Sequence, residues 1–314
     1  MTLALGLLMA AVVIGVAGPA YLCIAVKPSV RPGLALVGWV TSMALMVVAA
    51  LVAAVLLVAP HAYVLDGLIG MRHSCVNVIR ASGEVAWGHV ARSAGAAAVF
   101  GAAGWVAVVA ARLSWHRRRW RREHLALLRA VCRCERSILW MDEDTPVAYS
   151  VGGRRGAIVA TRGVARLRPR ERDAILAHEH AHMRGRHHLL LLVADVMAKA
   201  LPFVPLCRRA PGAIRVLVEL AADAAAARLH GPGPVRAGLL AVVGHGTPST
   251  ALAMSRDAVE ARLRWLADER VALGWLPARV GYALAAVLAL TPALVSIAIV
   301  TLVVLVYCLG VRPA

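Results

Sequence analysis

Residues Ile175–His188, ILAHEHAHMRGRHH, hold five histidines and one glutamate within fourteen positions. His178, Glu179 and His182 fit the pattern His-Glu-x-x-His. On a helix, residues four apart share a face, so His178 and His182 can bind one zinc ion. Glu179 then stands beside the open coordination position. Zinc lowers the pKa of water to near 7, and Glu179 is placed to take the released proton and pass it to a leaving amine. Two imidazoles do not complete such a site. Thirty-seven residues after His182 comes Glu219, four residues before Asp223. Glu219 is the candidate third ligand, with one zinc per chain. Asp223 is the candidate partner for the second ring nitrogen of a ligand histidine, which fixes tautomer and orientation. His180 lies off the ligand face. His187 and His188 stand too far along to ligate with the pair and read as surface or substrate-contacting groups. His230 and His245 are weak candidates for polarising a substrate carbonyl.

These residues must be carried by helices. Pro169 and Glu171 mark a helix start before the histidines. AIRVLVELAADAAAARLHG, ended by Gly231, reads as the helix carrying Glu219 and Asp223. DAVEARLRWLADERVA reads as a further helix, whereas GPGPVRAGLLAVVGHGTPST reads as broken by glycine and proline. Upstream, short strands are expected, with Val147–Val151 paired to Ala157–Thr161 as a hairpin. Ala157–Thr161, if an exposed edge, could align a substrate peptide. Cys132 and Cys134 form a lone Cys-x-Cys and read as redox-silent thiols.

The rest of the chain is apolar. The 314 residues are 60% hydrophobic, against the roughly 45–50% usual in soluble domains. Met1–Val26, Gly33–Pro60, Ser93–Ala111 and Val280–Val311 carry no charged side chain and are long enough to cross a bilayer. A cleaved leader at the first stretch is disfavoured, because no basic residue precedes Lys27. Leu189–Leu206 is also apolar, but a single crossing there would put Glu219 across the membrane from His178 and His182. Asp195 and Lys199 also interrupt it. It is expected to be a buried or interfacial helix continuing from the histidine helix. The loop His61–Arg92 has room for one amphipathic helix near Leu65–Ile79.

The net charge is +18, and Arg112–Arg279 holds 29 of the 35 basic residues. The run RLSWHRRRWRREH directly follows the third apolar stretch. Basic residues flanking a span mark the cytoplasmic side. The expected topology is therefore N-terminus outside, Arg112–Arg279 in the cytoplasm and C-terminus outside, in a multi-pass cell-membrane protein. No nucleic-acid-binding module is recognisable, so no direct nucleic-acid partner is expected.

DAILAHEHAHMRGRHH, ELAADAAAARLHG and VEARLRWL, set among these spans, resemble the BlaR/MecR-type membrane metallopeptidases. The zinc segment is also similar to the HtpX and CAAX-protease type of gluzincin. The resemblance implies an α-helical integral membrane protein of four transmembrane helices, with an α+β gluzincin-like zinc metallopeptidase domain between the third and fourth. Its expected divisions are 1–111, 112–279 and 280–314. It implies His178, His182 and Glu219 as zinc ligands and Glu179 as catalytic base. It also implies a protein substrate, a BlaI-like winged-helix repressor in the signalling members. Those members carry a penicillin-binding sensor after the fourth span. Here three residues follow Val311, so the expectation is a chain without that sensor. An HtpX-like quality-control protease and a non-catalytic zinc-binding receptor are the alternative readings.

Overall fold

The computed structural model describes residues 2–25, 32–58, 86–135, 138–153, 156–244 and 256–267, with single helical positions at 298 and 301. Apart from those two positions, the expected span 280–311 lies outside these residues, as do the outer-loop helix near Leu65–Ile79 and His245. The described chain is mostly helical. Helices α1 (Thr2–Ala25), α2 (Pro32–Val58) and α3 (Ala86–Val131) come first. Each contains a stretch long and apolar enough to cross a membrane: Ala4–Cys23, Pro32–Leu57 and a segment beginning at Ser93. At 1.5 Å per residue, the 46 residues of α3 extend about 69 Å. That is more than twice the ~30 Å of a bilayer core, so its basic half continues beyond the apolar part.

A four-stranded sheet follows: β1 (Arg133–Glu135), β2 (Ile138–Met141), β3 (Ala148–Val151) and β4 (Ala157–Thr161), in spatial order β1-β2-β4-β3. The hairpin of β3 and β4 forms in the expected register, Ala148 opposite Ala160 and Val151 opposite Ala157. β2 and β4 run parallel, Ile138 opposite Ile158. The expectation of an exposed edge at Ala157–Thr161 is corrected. β4 lies between two strands and all five of its residues are buried, so the outer strand is β3. The reason is the parallel pairing with β2, which covers the side of β4 that a bare hairpin leaves open. Leu125 and Cys132 at the end of α3 pack with Leu139, Val151, Ala157 and Val159 beneath the sheet.

After the short α4 (Arg162–Ala165), α5 (Pro169–Arg184) carries the histidine run and packs on β3. It does not continue into the next helix. Gly185 ends it, Arg186 adopts a left-handed φ of 48°, and α6 (His187–Ala200) starts afresh. α7 (Pro205–His230) begins at a first-turn proline, earlier than expected, and stops at Gly231, whose φ of 82° suits glycine. Within the segment read as broken, the described residues Pro232–Gly244 form helix α8. Its prolines 232 and 234 sit in the first turn, where no intrahelical N–H bond is lost. α9 (Arg256–Ala267) follows.

Two apolar faces of α7 organise the whole. Leu206, Ala210, Ile214, Leu217 and Val218, at helical spacing, pack with Ile14 and Leu22 of α1, Trp39 and Met43 of α2, and Ala194 and Met197 of α6. Leu220, Ala224 and Ala227 turn to a second cluster with Ala174 and Ala177 of α5, Val235 and Leu239 of α8, and Trp265 and Leu266 of α9. The alanines facing each other let α5 and α7 approach closely, because helix separation follows side-chain size. Gly238 serves the same end on α8, where a Cβ would lie 2.8 Å from Ile175 Cγ1.

Candidate metal centre

α5 and α7 bring three of the singled-out side chains to one point. His178 Nε2 lies 3.1 Å from His182 Nε2. Glu219 Oε2 lies 3.4 Å from His178 Nε2, and Glu219 Oε1 lies 3.5 Å from His182 Nε2. Among the described residues, these three form the cluster that could hold a metal ion. Zinc–nitrogen and zinc–oxygen bonds of about 2.0–2.2 Å in a tetrahedron place ligand atoms roughly 3.3–3.5 Å apart. The two carboxylate–imidazole separations fit that figure and the imidazole–imidazole separation is about 0.2 Å shorter, and two imidazoles with one carboxylate are a zinc donor set. Glu179 is buried on the same helix. The side chains of His178 and His182 are 10% and 14% exposed and that of Glu219 is 30% exposed. Glu219 therefore borders the accessible side.

Each histidine has a polar neighbour behind it. Asp223 Oδ1 lies 2.9 Å from His178 Nδ1. His187 Nδ1 lies 2.9 Å from His182 Nδ1, with the two rings nearly perpendicular. Both Nε2 atoms remain free to ligate. Beneath them, Arg262 of α9 grips Asp223 with two hydrogen bonds, Nε to Oδ2 at 2.7 Å and Nη2 to Oδ1 at 2.8 Å. Its Nη1 also lies 3.2 Å from Glu219 Oε2.

The electrostatics follow from this packing. Burial opposes charge on His178, but Asp223 and Glu219 outweigh it and raise its pKa to about 9. Burial opposes charge on Glu219 too. Hydrogen bonds from His178 and His182, with the Arg262 guanidinium, nevertheless hold its carboxyl well below the usual range. Asp223 is likewise lowered, with Arg262 and His178 overcoming burial. His187 is pushed down to about 4, by burial first and then by His182. It is neutral near pH 7 and can accept a proton from His182 Nδ1–H, the tautomer that leaves Nε2 free.

His180 is exposed and off the cluster, and His230 is exposed at the end of α7. His188 packs away from the cluster, against Gly152 in the β3–β4 turn. Two participants are not placed at the site by the sequence: His187, read as a surface or substrate-contacting group, and Arg262. His187 escapes because five residues along an unbroken helix is about 140° from His182. The break at Arg186 brings it back. Arg262 could have been found: with Trp265 and Leu266, it occupies the i, i+3, i+4 face that packs inward. A cation on such a face needs a buried anion.

Residues 116–213 match the family model described as Peptidase family M48. The matched segment runs from the basic half of α3 into α7. It takes in His178, Glu179, His182 and His187, and ends before Glu219 and Asp223. No curated protein and no solved structure matches the chain. The match supports a gluzincin-type metallopeptidase, and the cluster's geometry agrees with it.

Proposed function

We propose that the chain is a membrane-embedded zinc endopeptidase of BlaR/MecR type that cuts protein substrates at a cytosolic site. The observation that carries this is the convergence of His178, His182 and Glu219 at 3.1–3.5 Å, with Glu179 next to His178 in the helix. Those three residues hold one zinc. Zinc bound there would act as a Lewis acid, polarising a carbonyl and acidifying water. Glu179 takes the proton of the attacking water and delivers it to the leaving amine. Asp223 and His187 hold the two imidazoles in ligating orientation. An extended substrate can add to β3, which has no partner on its outer side among the described residues and packs against α5.

The cytoplasmic side is supported by the basic half of α3, including exposed Arg118, Arg119 and Arg122 after the apolar run. A winged-helix repressor is the proposed substrate on the strength of the BlaR/MecR resemblance. The M48 match names a peptidase family without a signalling partner. That favours an HtpX-type quality-control protease as the second reading.

The test is Glu179→Gln in the full chain. Zinc content should stay at about one per chain while cleavage falls on the order of 100-fold or more. Wild-type cleavage by this variant sinks the peptidase reading. Proteins stabilised in cells carrying it separate the two substrate readings: one or few for signalling, many for quality control.

A further inference from the structure

Asp195 of α6 pairs with Arg117 of α3 and, at 3.1 Å, with Arg215 of α7. The three mark one level across three helices. On α3 the apolar run ends at Arg112, five residues before Arg117, about 7 Å along the axis. On α7, Pro205 lies ten residues before Arg215, about 15 Å along the axis. The turn Leu201–Val204 therefore passes the level of Arg112 by roughly 7 Å, into the apolar layer.

Packing against α1 agrees. A Cβ at Gly15 would lie 3.0 Å from Val204 Cγ1, and one at Gly18 would lie 3.5 Å from Leu206 Cδ1. α7 thus starts beside the middle of the Ala4–Cys23 stretch and runs in the same direction as α1. The turn between α6 and α7 thus lies at the depth of the α1 apolar stretch, with Glu219 and the histidines on one side of it.

What the tip exposes is specific. Phe203 is 75% exposed, and Pro202 beside it is exposed. Lys199, Arg208 and Arg209 are also exposed, as is Arg112 of α3. By helical rise from Asp195 and Arg215, Lys199, Arg208 and Arg209 fall within about 3 Å of the level of Arg112. An aromatic tip below exposed cations at one level matches one leaflet: acyl chains around Phe203, and anionic phosphates at the cations. The tip packs on α1 and α2, so the lipid that surrounds those spans also reaches the hairpin.

We propose that the α6–α7 hairpin is a re-entrant wedge in one leaflet, and that Lys199, Arg208, Arg209 and Arg112 form a binding site for anionic lipid headgroups. The inference rests on α1–α3 crossing a bilayer and is independent of the peptidase assignment. The experiment uses the full chain in nanodiscs with its six native cysteines replaced. A spin label is placed at Phe203→Cys or, separately, at Val12→Cys on the exposed face of α1.

Both labels should collide more often with oxygen than with a water-soluble nickel chelate. A lipid-exposed label at 12 with a water-exposed or fully shielded label at 203 overturns the wedge. Water exposure at both positions overturns the spanning reading, and the wedge with it. In the second arm, spin-labelled phosphatidylglycerol and phosphatidylcholine compete for the protein surface. The wild-type chain should prefer the anionic lipid, at about fivefold per cation. Lys199→Gln/Arg208→Gln/Arg209→Gln should lose most of that preference while keeping its helical circular dichroism. An unchanged preference overturns the headgroup site.

Discussion

Arg262→Ala should damage both the stability of the chain and its hold on zinc. Arg262 is 6% exposed and Asp223 is fully buried, with two hydrogen bonds of 2.7 and 2.8 Å between them. Removing the guanidinium leaves the Asp223 carboxylate buried with His178 beside it as the remaining partner of opposite charge among the described residues. Breaking a buried pair from one side costs about 3–5 kcal/mol. At about 2–4 °C per kcal/mol for a unit of this size, Tm should fall by roughly 6–20 °C. Arg262→Lys keeps the charge but not the fork that meets both oxygens, so its loss should be intermediate. Arg262→Ala/Asp223→Ala should lose less than the sum of the single variants, since neither then strands a charge.

The assay is thermal unfolding of the metal-free chain in detergent, together with a zinc competition titration. Zinc affinity should drop about 10–100-fold in Arg262→Ala, because Asp223 no longer holds His178. A Tm within 2 °C of wild type, or strict additivity in the double variant, would refute the reasoning and detach α9 from the site.

His187→Ala should weaken zinc binding on the order of 10–100-fold, whereas His188→Ala should leave it near wild type. Equal losses from both would remove the specific contact of His187 with His182. Zinc affinity should also depend on pH through His178. Its pKa in the metal-free fold is about 9, so below that value a proton must leave before Nε2 can ligate. Affinity should therefore rise about tenfold per pH unit from pH 7 and level off near 9. Calorimetry in buffers of different ionisation enthalpy should count about one proton released by this group, and a flat affinity from pH 7 to 8.5 would contradict the raised pKa. Gly238→Val should lower Tm and zinc affinity together, since the added carbon meets Ile175 and pushes α8 away from α5. A fall in Tm with zinc affinity unchanged would show that α8 does not help seat the histidine helix.

Much of the candidate centre was legible in the chain because its parts are local. His178 and His182 are four apart on one helix, as are Glu219 and Asp223 on another, and helical periodicity puts each pair on one face. Apolar length alone marked α1, α2 and the first half of α3. The β3–β4 hairpin was also readable, since its turn and its two strands are contiguous. The failures share a cause. Whether β4 is an edge depends on β2, which pairs with it in parallel and from a distance in sequence. The helicity of α8 rests on packing against α5 and α7, which overrides a composition rich in glycine and proline. His187 reaches His182 only because the helix breaks at Arg186, and Arg262 reaches Asp223 across 39 residues of chain. The sequence determined which side chains could share a helical face and how far the apolar helices extend. Only the tertiary structure decided which buried cation faces which buried carboxylate and which strand lies outermost, because both depend on how separate helices and strands pack.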